Sequence, residues 1–105
     1  TQIVAVDGGE VVGTCRLLFE PPDCRLGRMA VAEQARGGGA GSLLVAASIK
    51  AARKAGCERI VLHAQRRAEA FYAGCGFEPV GETFTEEGIP HVLMRRSVVE
   101  GLPSR

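Results

Sequence analysis

Seven consecutive residues decide the fold of this chain: Arg36-Gly37-Gly38-Gly39-Ala40-Gly41-Ser42. They follow an apolar, strand-like run at residues 26–31 and precede apolar side chains that recur at helical spacing over residues 39–55. A glycine-rich turn between a strand and a helix leaves backbone N–H groups uncovered, and the helix N-terminus adds a positive partial charge. Glycine also permits positive φ and a close approach of a ligand to the backbone. The sequence therefore predicts an anion site suited to phosphate.

Two common phosphate-binding motifs are excluded at this turn. The dinucleotide fingerprint G-x-G-x-x-G would need a glycine at Ser42, and the P-loop would need a Gly-Lys-Ser or Gly-Lys-Thr that occurs nowhere in the chain. The remaining pattern, Arg36-x-x-Gly39-x-Gly41, resembles the pyrophosphate loop Q/R-x-x-G-x-G/A of the GNAT family of N-acetyltransferases. On its own, this pattern also fits a glycine-rich turn without a ligand.

Two further segments add to the resemblance. Residues 65–77 (QRRAEAFYAGCGF) look like the family's second signature, N-x-x-A-x-x-F-Y-x-x-x-G-F, with Gln65 in place of the usual Asn. Residues 81–94 (GETFTEEGIPHVLM) resemble the C-terminal hairpin of the ElaA-like branch, G-E-x-F-x-E-x-G-I-P-H-x-x-M. Three motifs in the expected order cover residues 26–94, so the chain is identified as a member of this family.

Hydrophobic periodicity predicts an α/β (α+β) fold with a mixed sheet and the element order β-β-β-α-β-α-β-β. Asp7-Gly8 between apolar runs predicts a first hairpin. The loss of alternation around Gly27-Arg28 predicts a β-bulge in the third strand. The helix of residues 39–55 is expected to bury one apolar face, made of Ala40, Leu43, Leu44, Ala47 and Ala51.

The domain organisation follows from the same elements. We predict one acetyltransferase domain over residues 1–96 and a loosely ordered C-terminal tail over residues 97–105. In the GNAT-like fold that the chain resembles, a strand and two helices precede the first hairpin, and we expect the chain to lack them. In the family those elements form part of the site for the acceptor, the molecule that is acetylated. The resemblance therefore implies binding of the acyl donor more firmly than binding of the acceptor.

Composition narrows the class of protein. The 105 residues fit one domain, with 46% apolar and 24% charged residues and a net charge of +1. This charge predicts no nucleic-acid partner, and the absence of a long apolar run or signal segment predicts no membrane contact and a cytoplasmic location. The spacing of the cysteines fits no metal motif, so we expect no metal and four free, buried thiols, at Cys15, Cys24, Cys57 and Cys75.

The resemblance implies acetyl-CoA as the acyl donor. Loop amides would bind its pyrophosphate, with Arg36 adding charge. The backbone of the third strand would pair with the pantetheine arm, and one of its N–H groups would polarise the thioester oxygen. The implied donor-binding residues are Met29, Ala30, Val31, Arg36, Gly37, Gly38, Gly39, Ala40, Gly41, Ser42, Gln65 and Phe71.

The same resemblance implies that Tyr72 is the general acid that protonates the departing thiolate; the alternative is a core aromatic on a short helix. The residues leave the general base open among Glu33, His63, Glu69 and His91. We therefore expect an N-acetyltransferase that acts on a primary amine, either a small molecule or a peptide. The alternatives are a non-catalytic acyl-CoA-binding module and a nucleotide-binding interaction domain, and a homodimer is compatible with each.

Overall fold

The computed structural model describes residues 1–99, which form six strands and two α-helices. The elements are β1 (Gln2–Asp7), β2 (Glu10–Glu20), β3 (Asp23–Val31), α1 (Ala40–Lys54), β4 (Arg59–Gln65), α2 (Glu69–Gly74), β5 (Glu78–Glu86) and β6 (Ile89–Ser97). All six strands belong to one sheet in the order β1-β2-β3-β4-β6-β5. Only β3 and β4 run parallel, and the other neighbours are antiparallel. The predicted mixed sheet and element order are therefore confirmed.

Two-residue turns close the first and the last hairpin. Gly8 and Gly9 join β1 to β2 with φ values of 59° and 85°. Glu87 and Gly88 join β5 to β6 with φ values of 52° and 75°. Positive φ at both central positions is the turn geometry that matches the twist of antiparallel strands. The hairpin predicted from Asp7-Gly8 is confirmed.

One face of α1 packs on the sheet, and it differs from the predicted face. Leu43 is 67% exposed and Ala47 is also exposed, so their predicted burial is wrong. Ser48 is buried instead, because its hydroxyl donates to the Leu44 carbonyl at 2.7 Å and lies 3.6 Å from the Cys15 thiol. These contacts satisfy a polar side chain that was not among the residues predicted for the buried face. The buried positions of the helix are Ala40, Leu44, Val45, Ser48, Ile49 and Ala52.

The core lies between the helices and the face of the sheet that they cover. It includes three of the cysteines, and Cys75 is partly buried. All four thiols are free, as predicted. Burial raises the pKa of Cys24 to about 11, with a smaller contribution from the neighbouring Cys57 and Cys15 thiols. These side chains are therefore protonated packing groups at neutral pH.

The sheet splits at its centre. The parallel strands β3 and β4 pair over three positions, Asp23–Arg25 against Arg59–Val61. Beyond them, residues 26–31 of β3 pair only with β2, and residues 62–65 of β4 pair only with β6. The two strands therefore diverge toward their carboxyl ends and leave a gap in the sheet.

A bulge shapes the β3 side of this gap. Thr14 pairs with Ala30 and Arg16 pairs with Gly27, so two β3 residues oppose the single residue Cys15. Arg28, one of the two, has a φ of 53°. The predicted bulge is confirmed, and it bends the strand where the gap opens.

The C-terminal part of the sheet extends past the predicted domain boundary at residue 96. β6 continues to Ser97, and Val98 is buried. The Val98 N–H donates to the Glu58 carbonyl at 2.9 Å, and its carbonyl accepts from Arg53 Nε at 2.6 Å. Residues 100–105 of the predicted tail lie outside the described residues. Across residues 1–99, neither helix has the length and apolar character needed to cross a bilayer.

Candidate active site

The gap between β3 and β4 opens into a cleft of about 840 Å³. Strand β3 contributes one wall and strand β4 the other. The glycine-rich turn, α2 and the tip of the β5–β6 hairpin complete the cleft. The predicted site residues that line it are Met29, Val31, Arg36, Gly37, Gly39, Ala40, Gly41, Ser42, Gln65, Phe71 and Tyr72. Segments far apart in the sequence are thus brought together at one place.

The glycine-rich turn presents open backbone amides to the cleft. Gly37 and Gly39 have φ values of 84° and 90°, which a residue with a Cβ rarely adopts. Gly39 is the N-cap of α1, and no side chain caps this helix end. Within residues 1–99, five amides of the turn donate no hydrogen bond, those of Gly37, Gly39, Ala40, Gly41 and Ser42. Unpaired amides and the positive end of a 15-residue helix form an anion site.

Two predicted donor-binding residues do not line the cleft. The Gly38 amide is occupied because it donates to the Ala35 carbonyl at 3.2 Å. Gly38 lines a separate groove between β1 and α1. Ala30 pairs with Thr14 of β2, and its side chain is exposed. The bulge places Met29 and Val31, but not Ala30, at the cleft.

Gly41 is also in close contact with the side chain of Phe71, which the sequence motif does not indicate. A Cβ at this position would lie 3.0 Å from Cζ of Phe71, so the Phe71 ring packs directly on the helix backbone. Phe71 is 38% exposed and lines the cleft, and its ring contacts Tyr72 edge-on at 5.0 Å. Gly41 therefore joins the first turn of α1 to α2.

Basic side chains line the same cleft as the open amides. Nε of Arg36 donates to the Val31 carbonyl at 3.3 Å, which holds the guanidinium beside the turn. Arg28 and Arg67 also line the cleft. Sequence reasoning missed both, because a single arginine in a bulge or a surface pair carries no motif. Positive charge from three segments thus faces the same space.

Tyr72 lies at the base of the cleft. It is 8% exposed, and its ring contacts Phe71 and, at 5.8 Å, Phe77. Burial raises the pKa of Tyr72 to about 12, with smaller contributions from the thiols of Cys15 and Cys75. Its hydroxyl makes no hydrogen bond within residues 1–99. The phenol is therefore protonated at neutral pH, as a proton donor has to be.

The structure separates the four predicted candidates for the base. Glu33 and Glu69 do not line the cleft, and Glu69 pairs with Arg66 at 3.1 Å. His63 and His91 both line it. Glu86 of the β5–β6 hairpin lies with them, although sequence reasoning gave it no role. Its signal was present in the G-E-x-F-x-E pattern, but only pairing of the hairpin with β4 brings it to the cleft.

The sequence of the chain matches a known protein family. The acetyltransferase (GNAT) domain family matches residues 1–98. The chain is a member of the GNAT acetyltransferase family. In the described part of this GNAT domain, no group of three or more His, Cys, Asp and Glu residues is arranged to hold a metal ion.

The ElaA-like assignment is confirmed by individual relatives. The domain is 34% identical over 96 residues to the uncharacterized N-acetyltransferase YjcF of Bacillus subtilis, covering 90% of this chain and 69% of YjcF. It is 33% identical over 103 residues to ElaA of Escherichia coli, covering 94% of this chain and 67% of ElaA.

Solved structures agree with the sequence relatives. The crystal structure of Escherichia coli ElaA matches with a TM-score of 0.79 and 29% identity, over 90% of this chain and 66% of that one. An acyl-CoA N-acyltransferase from Pseudomonas aeruginosa matches with a TM-score of 0.78 and 32% identity, over the same shares of the two chains. The chain spans 60–69% of the length of the curated relatives it matches.

Proposed function

We propose that the protein transfers an acetyl group from acetyl-CoA to a primary amine. One observation carries this proposal: open helix N-terminal amides, an unpaired edge of β3 and a protonated Tyr72 share one cleft. Membership of the GNAT family supports acyl transfer from CoA in general. YjcF is named as an N-acetyltransferase and the Pseudomonas protein as an acyl-CoA N-acyltransferase, and both names support the same chemistry.

Donor binding would use the main chain. The amides of Gly39, Ala40 and Gly41 would donate to the pyrophosphate of acetyl-CoA, with Arg36 adding charge. The pantetheine arm carries amide groups, and the unpaired β3 edge offers peptide groups to pair with them. A backbone N–H near Met29 would stabilise the oxyanion that forms on the thioester oxygen.

Acyl transfer would use Tyr72 as a general acid. The amine attacks the thioester carbon, the C–S bond breaks and the departing thiolate takes the phenolic proton. A buried, protonated phenol without another hydrogen bond is free to make this transfer. The acceptor would be a small-molecule or peptide amine that enters beside the β5–β6 hairpin. Free buried thiols fit the reducing cytoplasm as the location of this reaction.

The alternative is a non-catalytic acyl-CoA-binding module, and thiol release separates the two. The protein is incubated with acetyl-CoA and a panel of primary amines: ethanolamine, spermidine, a lysine-containing peptide and a peptide with a free N-terminus. We expect free CoA thiol above the no-amine rate with at least one acceptor. Release with none of them would contradict the acetyltransferase proposal.

Melting with ligands tests donor binding separately from turnover. A ligand that binds only the folded state at 100 times its Kd adds about 2.7 kcal/mol, so saturating acetyl-CoA should raise Tm by on the order of 10 °C. ATP should raise it much less, because it has no pantetheine arm. A large shift with CoA but no thiol release supports the binding module, and equal shifts with ATP and CoA contradict both readings.

A further inference from the structure

A carboxylate lies between two histidines at the mouth of the cleft. Oε1 of Glu86 is 2.9 Å from Nδ1 of His63, and its Oε2 is 3.8 Å from Nε2 of His91. The three residues come from β4, β5 and β6, and all three line the cleft. Phe84 stacks on His91 with centroids 6.0 Å apart and meets the His63 ring edge-on at 5.1 Å. The hairpin thus fixes both rings.

Hydrogen-bond chemistry determines which ring nitrogen of His63 is free. An ionised carboxylate only accepts hydrogen bonds, so Nδ1 of His63 carries the proton and donates to Glu86. In the neutral imidazole, the lone pair then resides on Nε2. The side chain is 44% exposed, and Nε2 makes no hydrogen bond within residues 1–99. His63, which lines the cleft, therefore carries an unpaired proton acceptor.

His91 is held differently. Its Nδ1 donates to the Ile89 carbonyl at 2.7 Å, which is a contact within its own hairpin. Its side chain is only 8% exposed, and Nε2 faces Glu86. Both nitrogens are thus directed at groups of the hairpin, and the buried ring stabilises the turn. Of the two histidines, only His63 combines exposure with an unpaired nitrogen.

From this geometry we infer that Nε2 of His63 is the general base that deprotonates the acceptor amine, with Glu86 as its positioning residue. This inference rests on the proposed acetyl transfer. The alkylammonium form of an amine has no lone pair, so it cannot attack a thioester until it loses a proton. Glu86 fixes the reactive tautomer and stabilises the positive charge that the ring acquires.

The proposed acetyl transfer conserves protons and bonds at each step. The ammonium gives one proton to Nε2 of His63, and the neutral nitrogen forms a bond to the carbonyl carbon. The C–S bond then breaks, the thiolate takes the proton of Tyr72, and the phenolate recovers a proton from the new amide nitrogen through water. His63 releases its proton to solvent. An ammonium and acetyl-CoA thus yield an amide, CoA thiol and one proton.

The charges near His63 come from several strands. Arg16 of β2, and Arg25 and Arg28 of β3, line a smaller pocket that His63 and Glu86 also line. Among the described residues, Glu86 is the only carboxylate hydrogen-bonded to the ring. Glu87 also lines the cleft, but Glu86 is the carboxylate in direct contact with the ring and so is placed to compensate an imidazolium. Glu86 is therefore predicted to matter through its charge as well as its position.

Chemical rescue tests the base. His63→Ala should lower kcat by about 10²–10⁴-fold with the fastest acceptor of the panel, and the KM for acetyl-CoA should change little. Added imidazole should restore part of kcat in His63→Ala in proportion to its concentration, with no effect on the parent protein. His63→Gln, which retains a polar side chain, should lose activity equally, and a Tm close to that of the parent protein would confirm that the fold tolerates the change.

A double-mutant cycle tests the positioning residue. Glu86→Gln should lower kcat by about 10–100-fold, the rate equivalent of one charge-assisted hydrogen bond. On the His63→Ala background it should have little further effect, because its role runs through His63. Glu82→Gln, an exposed carboxylate on the same strand, is the matched control and should leave kcat unchanged.

The outcomes separate the two proposals. An active parent protein with an equally active His63→Ala overturns the base but leaves acetyl transfer standing. A loss in His63→Ala that imidazole does not restore assigns the ring a packing role and also overturns the base. A parent protein that binds CoA yet releases no thiol with any amine overturns the proposed function, and the inference fails with it.

Discussion

Replacing Tyr72 by Phe isolates the phenolic proton from the packing of the ring. The ring contacts to Phe71 and Phe77 do not involve the hydroxyl. The hydroxyl has no hydrogen-bond partner within residues 1–99, so its loss should change the free energy of unfolding by less than about 1 kcal/mol. The corresponding shift in Tm is at most about 4–8 °C for a domain of this size. Tyr72→Phe should therefore fold normally.

The effect on catalysis should be much larger. If thiolate protonation limits turnover, Tyr72→Phe lowers kcat by about 10²–10⁴-fold, the usual contribution of a general acid. The KM for acetyl-CoA should stay within about twofold, because the proposed donor site is made of main-chain groups and not of the phenol. Thiol release at saturating acetyl-CoA and amine measures kcat, and a Tm measurement on the same sample is the control for folding.

The pH dependence gives a second, independent readout. An acid acts only while protonated, and burial raises the pKa of Tyr72 to about 12 from the ordinary value of 10.0. Ionisation of this phenol should therefore not reduce kcat as the pH rises from 8 to 10. An unchanged kcat in Tyr72→Phe, with solvent-viscosity controls showing that chemistry limits the rate, would remove Tyr72 from the mechanism.

Two other predictions concern the loop and the core. Gly39→Val should weaken CoA binding, measured by calorimetry, by more than about tenfold, because a Cβ at positive φ disturbs the open amides. The control is Gly81→Val, which also has a positive φ but lies outside the cleft and should bind CoA normally. Equal losses of affinity in the two variants would refute the assignment of the loop. Burial raises the pKa of the Cys24 thiol from 9.0 to about 11. Above pH 9 this thiol therefore loses its proton in the unfolded chain before it does so in the folded protein, and the free energy of unfolding should fall with rising pH. Urea denaturation at pH 8 and pH 10 should show a smaller fall for Cys24→Ala, and a pH-independent stability would contradict this account.

The element order, the turns and the bulge could be predicted from the sequence, because each depends on a few neighbouring residues. Gly8, Gly27 and Gly39 mark positions where the backbone departs from regular geometry, and such departures are local. The face of α1 was less predictable. Leu43 was expected in the buried face but is exposed, and Ser48, for which no burial was predicted, is buried. The angle at which the helix meets the sheet depends on packing that no periodicity encodes.

The presence of the glycine-rich turn at the cleft was predictable from a local motif, whereas individual contacts within the turn and between distant strands were not. Gly38 was predicted to bind the donor, although its amide donates a hydrogen bond to the Ala35 carbonyl. This 3₁₀-type contact cannot be read from a sequence motif. Glu86 was overlooked as a partner of His63, which is 23 residues away along the chain. Their proximity arises only when β6 inserts between β4 and β5 in the sheet.

The gap between β3 and β4 also bears on self-association. An unpaired strand edge is ordinarily a risk, because a strand from another molecule can pair with it and start aggregation. Here the bare edges face each other inside the molecule, with Phe71, Tyr72 and Ile89 around the opening. We therefore expect a single extended chain with amide groups, and not the edge of a neighbouring sheet, to enter this opening. On this account, a row of peptide groups would stay available for a ligand without being offered to other copies of the chain.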